Sequence, residues 1–526
     1  MRLPGGRGPL LAAGIPAVIA TLFALPIGME TCAGALTLLV VAATLWLRHH
    51  RQRRQILLVP YPGGDGRVAM LQRLISAMPH LEFAVLLPDE LSRRYGWTRA
   101  EVGADNFLCY EGAASGRPTE QALDAVLRWP KRSRVAGILC YDEYGLELSS
   151  QLSLRLGLRG TSPQLLGVLR DKHAFRRACA DAGMHTVRHM PCTQEAVEAI
   201  ASGEREWPFP SILKPRSGAG SECVLKIETA TGLRDGWATV CARMGVALPS
   251  TASRAALSGT VEWSTFDERI KQMGFVLEEF FDGVEVDIDG WASDGHVDFA
   301  LVAENRAPIE PTMDEVGGTY PIRGLSDELV HRLEALPQRV LDAAVLAAAA
   351  AGGAPAACRF HGCFHFEARV DPRSGEVMPI EWNARVGGAE CPESVEAASG
   401  HWLPLVAAEL ALAPRYLPPP NLQGTEHTVV SANIHLPTAG RLTALQLGEE
   451  IDRAKLRLVS LRLFTSQVGS MYMPGRGSAS CLGWLAAGGA SKVEATANLR
   501  RVLEGIIVEL EGERVSVDVL CRHIRM

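Results

Sequence analysis

The stretch "GCFHFEARVDPRSGEVMPIEWNARVGG", residues 362–388, decides how the rest of the chain is read. Alternation in "CFHFEARV" places Cys363, His365 and Glu367 on one strand face, with Phe364, Phe366 and Ala368 on the other. In "IEWNAR", Glu381, Asn383 and Arg385 share a face by the same rule. The turn "DPRSGE" (Asp371–Glu376) suits a hairpin between them. Two adjacent antiparallel strands would therefore gather Glu367, Glu381 and Asn383, hard oxygen ligands suited to magnesium. The plainer alternative is a hairpin with charges on one exposed face. The overlapping stretch "ACRFHGCFHFEARV" (Ala357–Val370) also offers two cysteines and two histidines, which suggest zinc or iron. Only Cys363 and His365 share the face of Glu367, and no second Cys/His cluster completes a tetrahedral zinc site. Magnesium is the preferred reading, with His365 expected beside the ligands or the substrate.

Upstream, "WPFPSILKPRSGAGSECVLKIE" (Trp207–Glu228) reads as strand, Gly/Ser-rich turn and strand, with Lys214 closing the first strand. Backbone N–H groups in such a turn can approach an anion closely, and lysine supplies a point charge for phosphate. A hairpin with a small-residue turn explains the same pattern. In "RDKHAFRRACADAGM" (Arg170–Met184), Phe175, Ala178, Cys179 and Ala182 recur at i, i+3, i+4 and i+7. This predicts an amphipathic helix with Lys172 in its first turn and Gly183 at its stop. "FVLEEFFDGVEVDIDGWASDG" predicts two short strands around a turn, with Glu278, Glu279 and Glu285 as acidic candidates. Glu304, Arg306 and Glu315 lie in a segment (Val302–Pro321) that reads equally as an exposed loop or a substrate-facing one.

Further out, "QILLVPYPGG" and "VAGILCYDEYG" are buried-strand patterns alternating with helical stretches, the mark of a parallel α/β sheet. No G-x-G-x-x-G follows the first strand, so a dinucleotide fingerprint is absent. The proline-rich run "PRYLPPPNLQG" (Pro414–Gly424) marks a linker before a final hundred residues of short strands and one clear helix. No internal repeat is evident.

The 526 residues are 47% hydrophobic and carry a net charge of −6, which excludes the basic face that nucleic-acid binding needs. Twelve cysteines without a CxxC pair point to reduced thiols rather than a zinc ribbon or disulfide framework. From Pro9 to Leu47 the one charged residue is Glu30, and basic residues flank the stretch on both sides. This predicts a membrane hairpin over residues 1–54, and a membrane-associated protein with its catalytic domains in the cytoplasm.

The motif order now matters. A lysine at a helix start, a lysine before a Gly-rich loop, E-E-x-x-x-G-x-E, a strand ending in Glu, and E-x-N-x-R follow one another. This resembles the ATP-grasp superfamily, and within it the L-amino-acid (dipeptide) ligases and carnosine-synthase-like carboxylate–amine ligases. The resemblance runs from about Gln55 to the C-terminus. It implies an α/β architecture, α+β within the ATP-grasp part: a pre-ATP-grasp α/β domain (55–165), an ATP-grasp domain of two subdomains (166–415) and a closing α+β domain (416–526). It implies ATP and two Mg²⁺ ions as cofactors, with Mn²⁺ as an alternative metal. Lys172 and Lys214 would contact phosphates, and Ser217, Gly218, Gly220 and Ser221 would form the covering loop. Glu278 and Phe281 would meet adenine, and Glu285 the ribose. Glu367, Glu381 and Asn383 would hold the metals, while Arg385 would stabilise an acyl-phosphate. The implied partners are a small carboxylate and an amine, with room for a homodimer. A carboxylase- or purine-type ATP-grasp ligase, or a membrane-anchored nucleotide-binding protein without turnover, are the competing readings.

Overall fold

The computed structural model describes residues 55–60, 67–93, 95–112, 118–243, 274–352, 358–419, 427–448 and 451–526. Within them lie four β-sheets. The first holds β1 (Ile56–Pro60), β2 (Glu82–Pro88), β3 (Phe107–Tyr110) and β4 (Val135–Ile138) in the order β3-β2-β1-β4, all parallel. All five residues of β1 are buried, the continuous apolar run that a parallel strand covered on both faces requires.

A second, antiparallel sheet orders β5 (His189–Cys192), β6 (Ser211–Pro215), β7 (Leu225–Ile227) and β8 (Phe275–Glu279) as β5-β8-β6-β7. The third is an eight-stranded sheet. It contains β9 (Val284–Ser293), β10 (His296–Asn305), β11 (Gly318–Tyr320), β12 (Gly362–Val370), β13 (Val377–Asn383), β14 (Thr428–Asn433), β16 (Leu458–Leu463) and β18 (Gly483–Gly489). Their order is β13-β12-β9-β10-β11-β14-β18-β16. Strands from beyond the proline-rich run thus extend the same sheet that carries the predicted metal ligands. The last sheet orders β15 (Gly440–Leu447), β17 (Met471–Tyr472), β19 (Ile506–Leu510) and β20 (Glu513–Arg514) as β17-β15-β19-β20.

The hairpin of β12 and β13 forms as its alternation predicts, with Glu367 opposite Glu381 and His365 opposite Asn383. Its apolar face carries Phe364, Phe366 and Trp382, whose rings meet at 4.6 Å for Phe364–Trp382 and 5.6 Å for Phe366–Trp382. That face packs under helix α2 (Asp327–Ala350), and burial of each such ring contributes about 1.5–3 kcal/mol. The opposite face is left to the polar residues. Helix α1 (Lys172–Asp181) begins where predicted because Asp171 caps it, accepting from His173 N at 3.0 Å and Ala174 N at 3.4 Å. Phe175, Ala178 and Cys179 are buried as the helical spacing demands, whereas Ala182 lies beyond the helix and is exposed.

Two expectations change. The strands of "FVLEEFFDGVEVDIDG" exist but do not pair with each other: β8 belongs to the small sheet and β9 to the large one. Residues 280–283 are therefore a crossing between sheets. The true hairpin partner of β9 is β10, joined at Asp294 and Gly295, both with positive φ as a two-residue hairpin turn needs. Second, the expected membrane-associated localisation is corrected. Among the described residues no helix is long and apolar enough to cross a membrane, and the apolar segment over residues 1–54 lies outside them.

Candidate active site

A cavity of about 110 Å³ opens between the small sheet and the large one. Lys172, Lys214, Gly218, Gly220, Ser221, Glu278, Phe281, Glu285, Glu367 and Glu381 all line it, so the structure brings most of the sequence-predicted residues together. Asn383 stands just behind, donating from Nδ2 to Glu381 Oε1 at 2.9 Å and to Glu367 Oε1 at 3.4 Å. Ser217 is buried and does not line the cavity. Arg385 also lies outside the lining: its Nε donates to Glu143 Oε2 at 3.1 Å, and Nη1 to its neighbour's carbonyl, Val386 O, at 3.0 Å. Glu143 is the last acid of "CYDE" and also accepts from Arg170 Nε at 2.8 Å.

On the small-sheet side each cation has a carboxylate. Arg176, one turn after Lys172, grips Glu278 through Nε at 3.0 Å and Nη2 at 3.1 Å and also donates to Pro379 O. Lys214 Nζ lies 2.8 Å from Glu278 Oε2. Burial opposes ionisation of Glu278, but Arg176 and Lys214 outweigh it and hold the carboxyl at about 2. Burial pulls Lys214 below the usual lysine range despite Glu278. Lys172 pairs with Glu381; burial opposes both charges, and the mutual attraction wins, so Lys172 is raised and Glu381 lowered.

The Gly/Ser loop is held from the other side. Gly220 (φ +63°) accepts from Ser478 N at 2.8 Å, and a Cβ on Gly477 would sit 2.2 Å from Gly220 O, so the approach requires glycine there. Ser478 Oγ donates to Glu222 Oε1 at 3.2 Å. The loop is thus bracketed between Lys214 and the C-terminal segment.

The large-sheet side carries, beside the predicted Glu285, two acids that were not singled out from the sequence, Asp287 and Asp289. β9 places Glu285, Asp287 and Asp289 on the face shared with Arg369, Glu367 and His365 of β12, in direct register. Their spacing in "VEVDID" is a period-two signal that could have been read. Glu285 is engaged by Arg369, Nη2 to Oε2 at 2.9 Å. His365 Nδ1 lies 2.9 Å from Asp289 Oδ1 and is fixed as the donor, since a carboxylate accepts. Burial, followed by Glu381 and Asp287, pushes Glu367 well above the carboxylate range. Asp287 is likewise raised by burial and by Asp289 and Glu315, with His365 pulling against them. Glu315 lines the cavity and is pushed up to about 7 by burial and Glu285. Glu304 is taken by Lys492 at 2.7 Å, and Arg306 is spent on the carbonyls of Val316, Ser431 and Ile524. Cys363 packs into an apolar cluster, its Sγ 3.5 Å from Leu403 O.

Two sheets close on a cleft of lysines and carboxylates, and solved structures share this fold. The L-amino acid ligase from Bacillus licheniformis is similar at 17% identity over 87% of this chain and 99% of that chain, with a TM-score of 0.62. The biotin carboxylase domain dimer of Hydrogenobacter thermophilus 2-oxoglutarate carboxylase, in complex with MgADP, ADP and bicarbonate, is similar at 13% identity. That match covers 90% of this chain and 94% of the other, with a TM-score of 0.60. Phosphoribosylglycinamide synthetase from Anaerococcus prevotii follows at 14% identity, 87% and 100% coverage and a TM-score of 0.57. No family model matches the chain, and no curated protein matches it in sequence.

Proposed function

We propose that the protein is an ATP-dependent ligase that activates a carboxylate, an amino acid in our reading, as an acyl-phosphate and couples it to an amine. The observation that carries this is one juxtaposition: Lys172 and Lys214 face Glu367 and Glu381, backed by Asn383, across a single cleft. Cations for phosphate oxygens and hard oxygen donors for divalent ions are what a nucleoside triphosphate requires together. The donor set of Glu367, Glu381 and Asn383 is all-oxygen, and the acids crowded around Glu367, which raise it, are what a divalent cation would relieve, so the residues fit Mg²⁺, with Mn²⁺ as the alternative. Two such ions held there would neutralise phosphate charge and orient the γ-phosphoryl group.

Lys172 and Lys214 bind the phosphates, and the backbone of Gly218–Ser221 covers them. Glu278, which already fixes Lys214 and Arg176, offers its remaining lone pairs to the adenine amino group, with Phe281 beside the ring and Glu285 toward the ribose. The substrate carboxylate attacks the γ-phosphorus and ADP leaves. The amine nitrogen then attacks the acyl carbon, loses a proton as the C–N bond forms, and phosphate departs. Water must be kept out, because the acyl-phosphate otherwise hydrolyses. The loop bracketed by Ser478 supplies that cover. Arg385 joins the site by exchanging Glu143 for the acyl-phosphate.

The test is an ADP-release screen of the full chain with Mg²⁺-ATP and amino-acid pairs, followed by product mass. ADP that depends on both members of a pair, with a product lighter than their sum by one water, is the expected result. Release with bicarbonate or a nucleotide precursor and with no amino-acid pair would replace this reading by the carboxylase- or purine-type one.

A further inference from the structure

A second cavity, of about 210 Å³, lies beside the first and shares Glu285, Glu315 and Gly220 with it. Its lining includes Asp287 of β9, His365 of β12 and Cys391, the first residue of helix α3 (Cys391–Ser399). We propose that Asp287, His365 and Cys391 form a site for a zinc-class ion, adjoining the all-oxygen set of Glu367, Glu381 and Asn383 at Glu367.

Three observations carry it. First, the distances fit. His365 Nε2 is 3.9 Å from Asp287 Oδ2, and the ligand atoms of all three residues lie within 4.8 Å of one another. Nitrogen, oxygen and sulphur ligands at ~2.0–2.3 Å around one tetrahedral ion stand ~3.3–3.8 Å apart, so side-chain movements of about an ångström complete the set. Second, the histidine is already oriented for the task. Its Nδ1 donates to Asp289, the carboxylate–histidine arrangement that holds a metal-bound imidazole in place, and Nε2 is left between Glu367 Oε1 at 3.6 Å and Asp287 Oδ2 at 3.9 Å. Asp289 is wholly buried, and its Oδ2 has no hydrogen-bond donor.

Third, the chain makes room for the cysteine. A Cβ on Gly387 would fall 2.7 Å from Cys391 Cβ and 2.9 Å from Asp289 Oδ1, so a glycine lets the thiol and the second carboxylate share one corner. Tyr320 OH lies 3.1 Å from Cys391 Sγ, where it can donate to a thiolate.

The mixed set of one sulphur, one imidazole and one carboxylate selects a softer ion than magnesium. Three protein ligands leave a fourth position, and all three residues line the cavity. Glu390 and Asn433 line the same cavity, where Glu390 Oε2 and Asn433 Oδ1 are buried acceptors without donors that a water or amine in the cavity would satisfy. The strand pattern alone could not show this site, because Asp287 is distant in sequence and Cys391 arrives on a helix.

The experiment is elemental analysis of the purified full chain after dialysis against excess Mg²⁺, followed by replacement with Co²⁺. The expected result is one zinc per chain, a thiolate-to-cobalt charge-transfer band, and an X-ray absorption first shell with a single sulphur. Cys391→Ser should remove the band and at least ten-fold of the zinc affinity, and Asp287→Asn should weaken retention while keeping the band. A wild-type chain that holds no zinc and shows no band overturns the site. So does a first shell with several sulphurs, or a Cys391→Ser protein that keeps both metal and band. The wild-type absorption spectrum decides the matter even where a variant does not fold.

Discussion

The two walls of the cleft manage charge in opposite ways. On the small-sheet side Glu278 sits between Arg176 and Lys214, and Lys172 is matched by Glu381. On the large-sheet side Asp287, Asp289, Glu315 and Glu367 crowd together, with the imidazole of His365 among them. A compensated wall can stand by itself. A wall with surplus carboxylate is poised for cations, and its cost in the empty state is repaid only on binding. The difference separates residues that hold the site's shape from residues that hold its ligands.

The sharpest way to break this comparison is to remove a charge that serves both walls. Glu381→Ala strips Lys172 of its partner and the proposed metal set of a ligand. ADP release should fall by on the order of 10²–10³-fold or more, with the true substrates present. Phosphate release at the normal rate would show that Glu381 holds no metal. Next in size is a stability effect confined to the compensated wall. Arg176 is fully buried, and Arg176→Met leaves Glu278 with Lys214 alone and Pro379 O without its donor. Breaking such a buried pair costs about 3–5 kcal/mol, to be read as a lower urea midpoint. An unchanged midpoint would mean that the pairing is incidental.

These residues were unequally legible in the sequence. The Glu367–Glu381–Asn383 hairpin could be read because strand alternation and a turn signal both act within a few residues, and tertiary packing had nothing to override. Lys172 was legible for the same local reason, a capped amphipathic helix. The second acidic strand was visible as "VEVDID" but fell behind the more conspicuous "LEEFF", whose two strands looked like a hairpin. Only the partner strands reveal that they enter different sheets. Arg176, Glu143 and Arg369 could not be found at all, since each acquires meaning from a partner far along the chain. The sheet shared by β11 and β14 likewise depends on pairing that no local pattern encodes.

A third test asks whether the crowded wall simply accumulates charge. His435 lines the second cavity with Glu315, yet burial and then His523 pull its pKa from 6.5 to about 4, although its ring also donates to the Glu315 backbone. Ser480 Oγ stands 3.4 Å from Nδ1, with Asp314 beyond it. The folded protein therefore keeps His435 neutral while the unfolded chain takes up a proton first. Its contribution is intact above pH 6.5 and is lost as pH falls toward 4, amounting to about 3 kcal/mol at full extent. His435→Gln should flatten that part of the stability–pH curve. Parallel curves for the two proteins would show that the imidazole takes up its proton in the fold as it does in the unfolded chain.

The smallest effect is the most diagnostic, because its sign separates the walls. Glu367 faces Glu381 across the hairpin and Asp287 across the next pair, so without a divalent ion its charge adds repulsion and little attraction. Glu367→Gln keeps the shape and removes that repulsion. The metal-free variant should match or exceed the wild type by about 1 kcal/mol, a shift of roughly 2–4 °C for a domain of a few hundred residues, measured by melting in a chelator. Added Mg²⁺ should then raise the melting temperature of the wild type and leave the variant unmoved, since an ion stabilises only the state that binds it. A variant that melts lower than wild type in chelator would place Glu367 with the compensated charges of the opposite wall, and the division between shape and ligand would have to be drawn elsewhere.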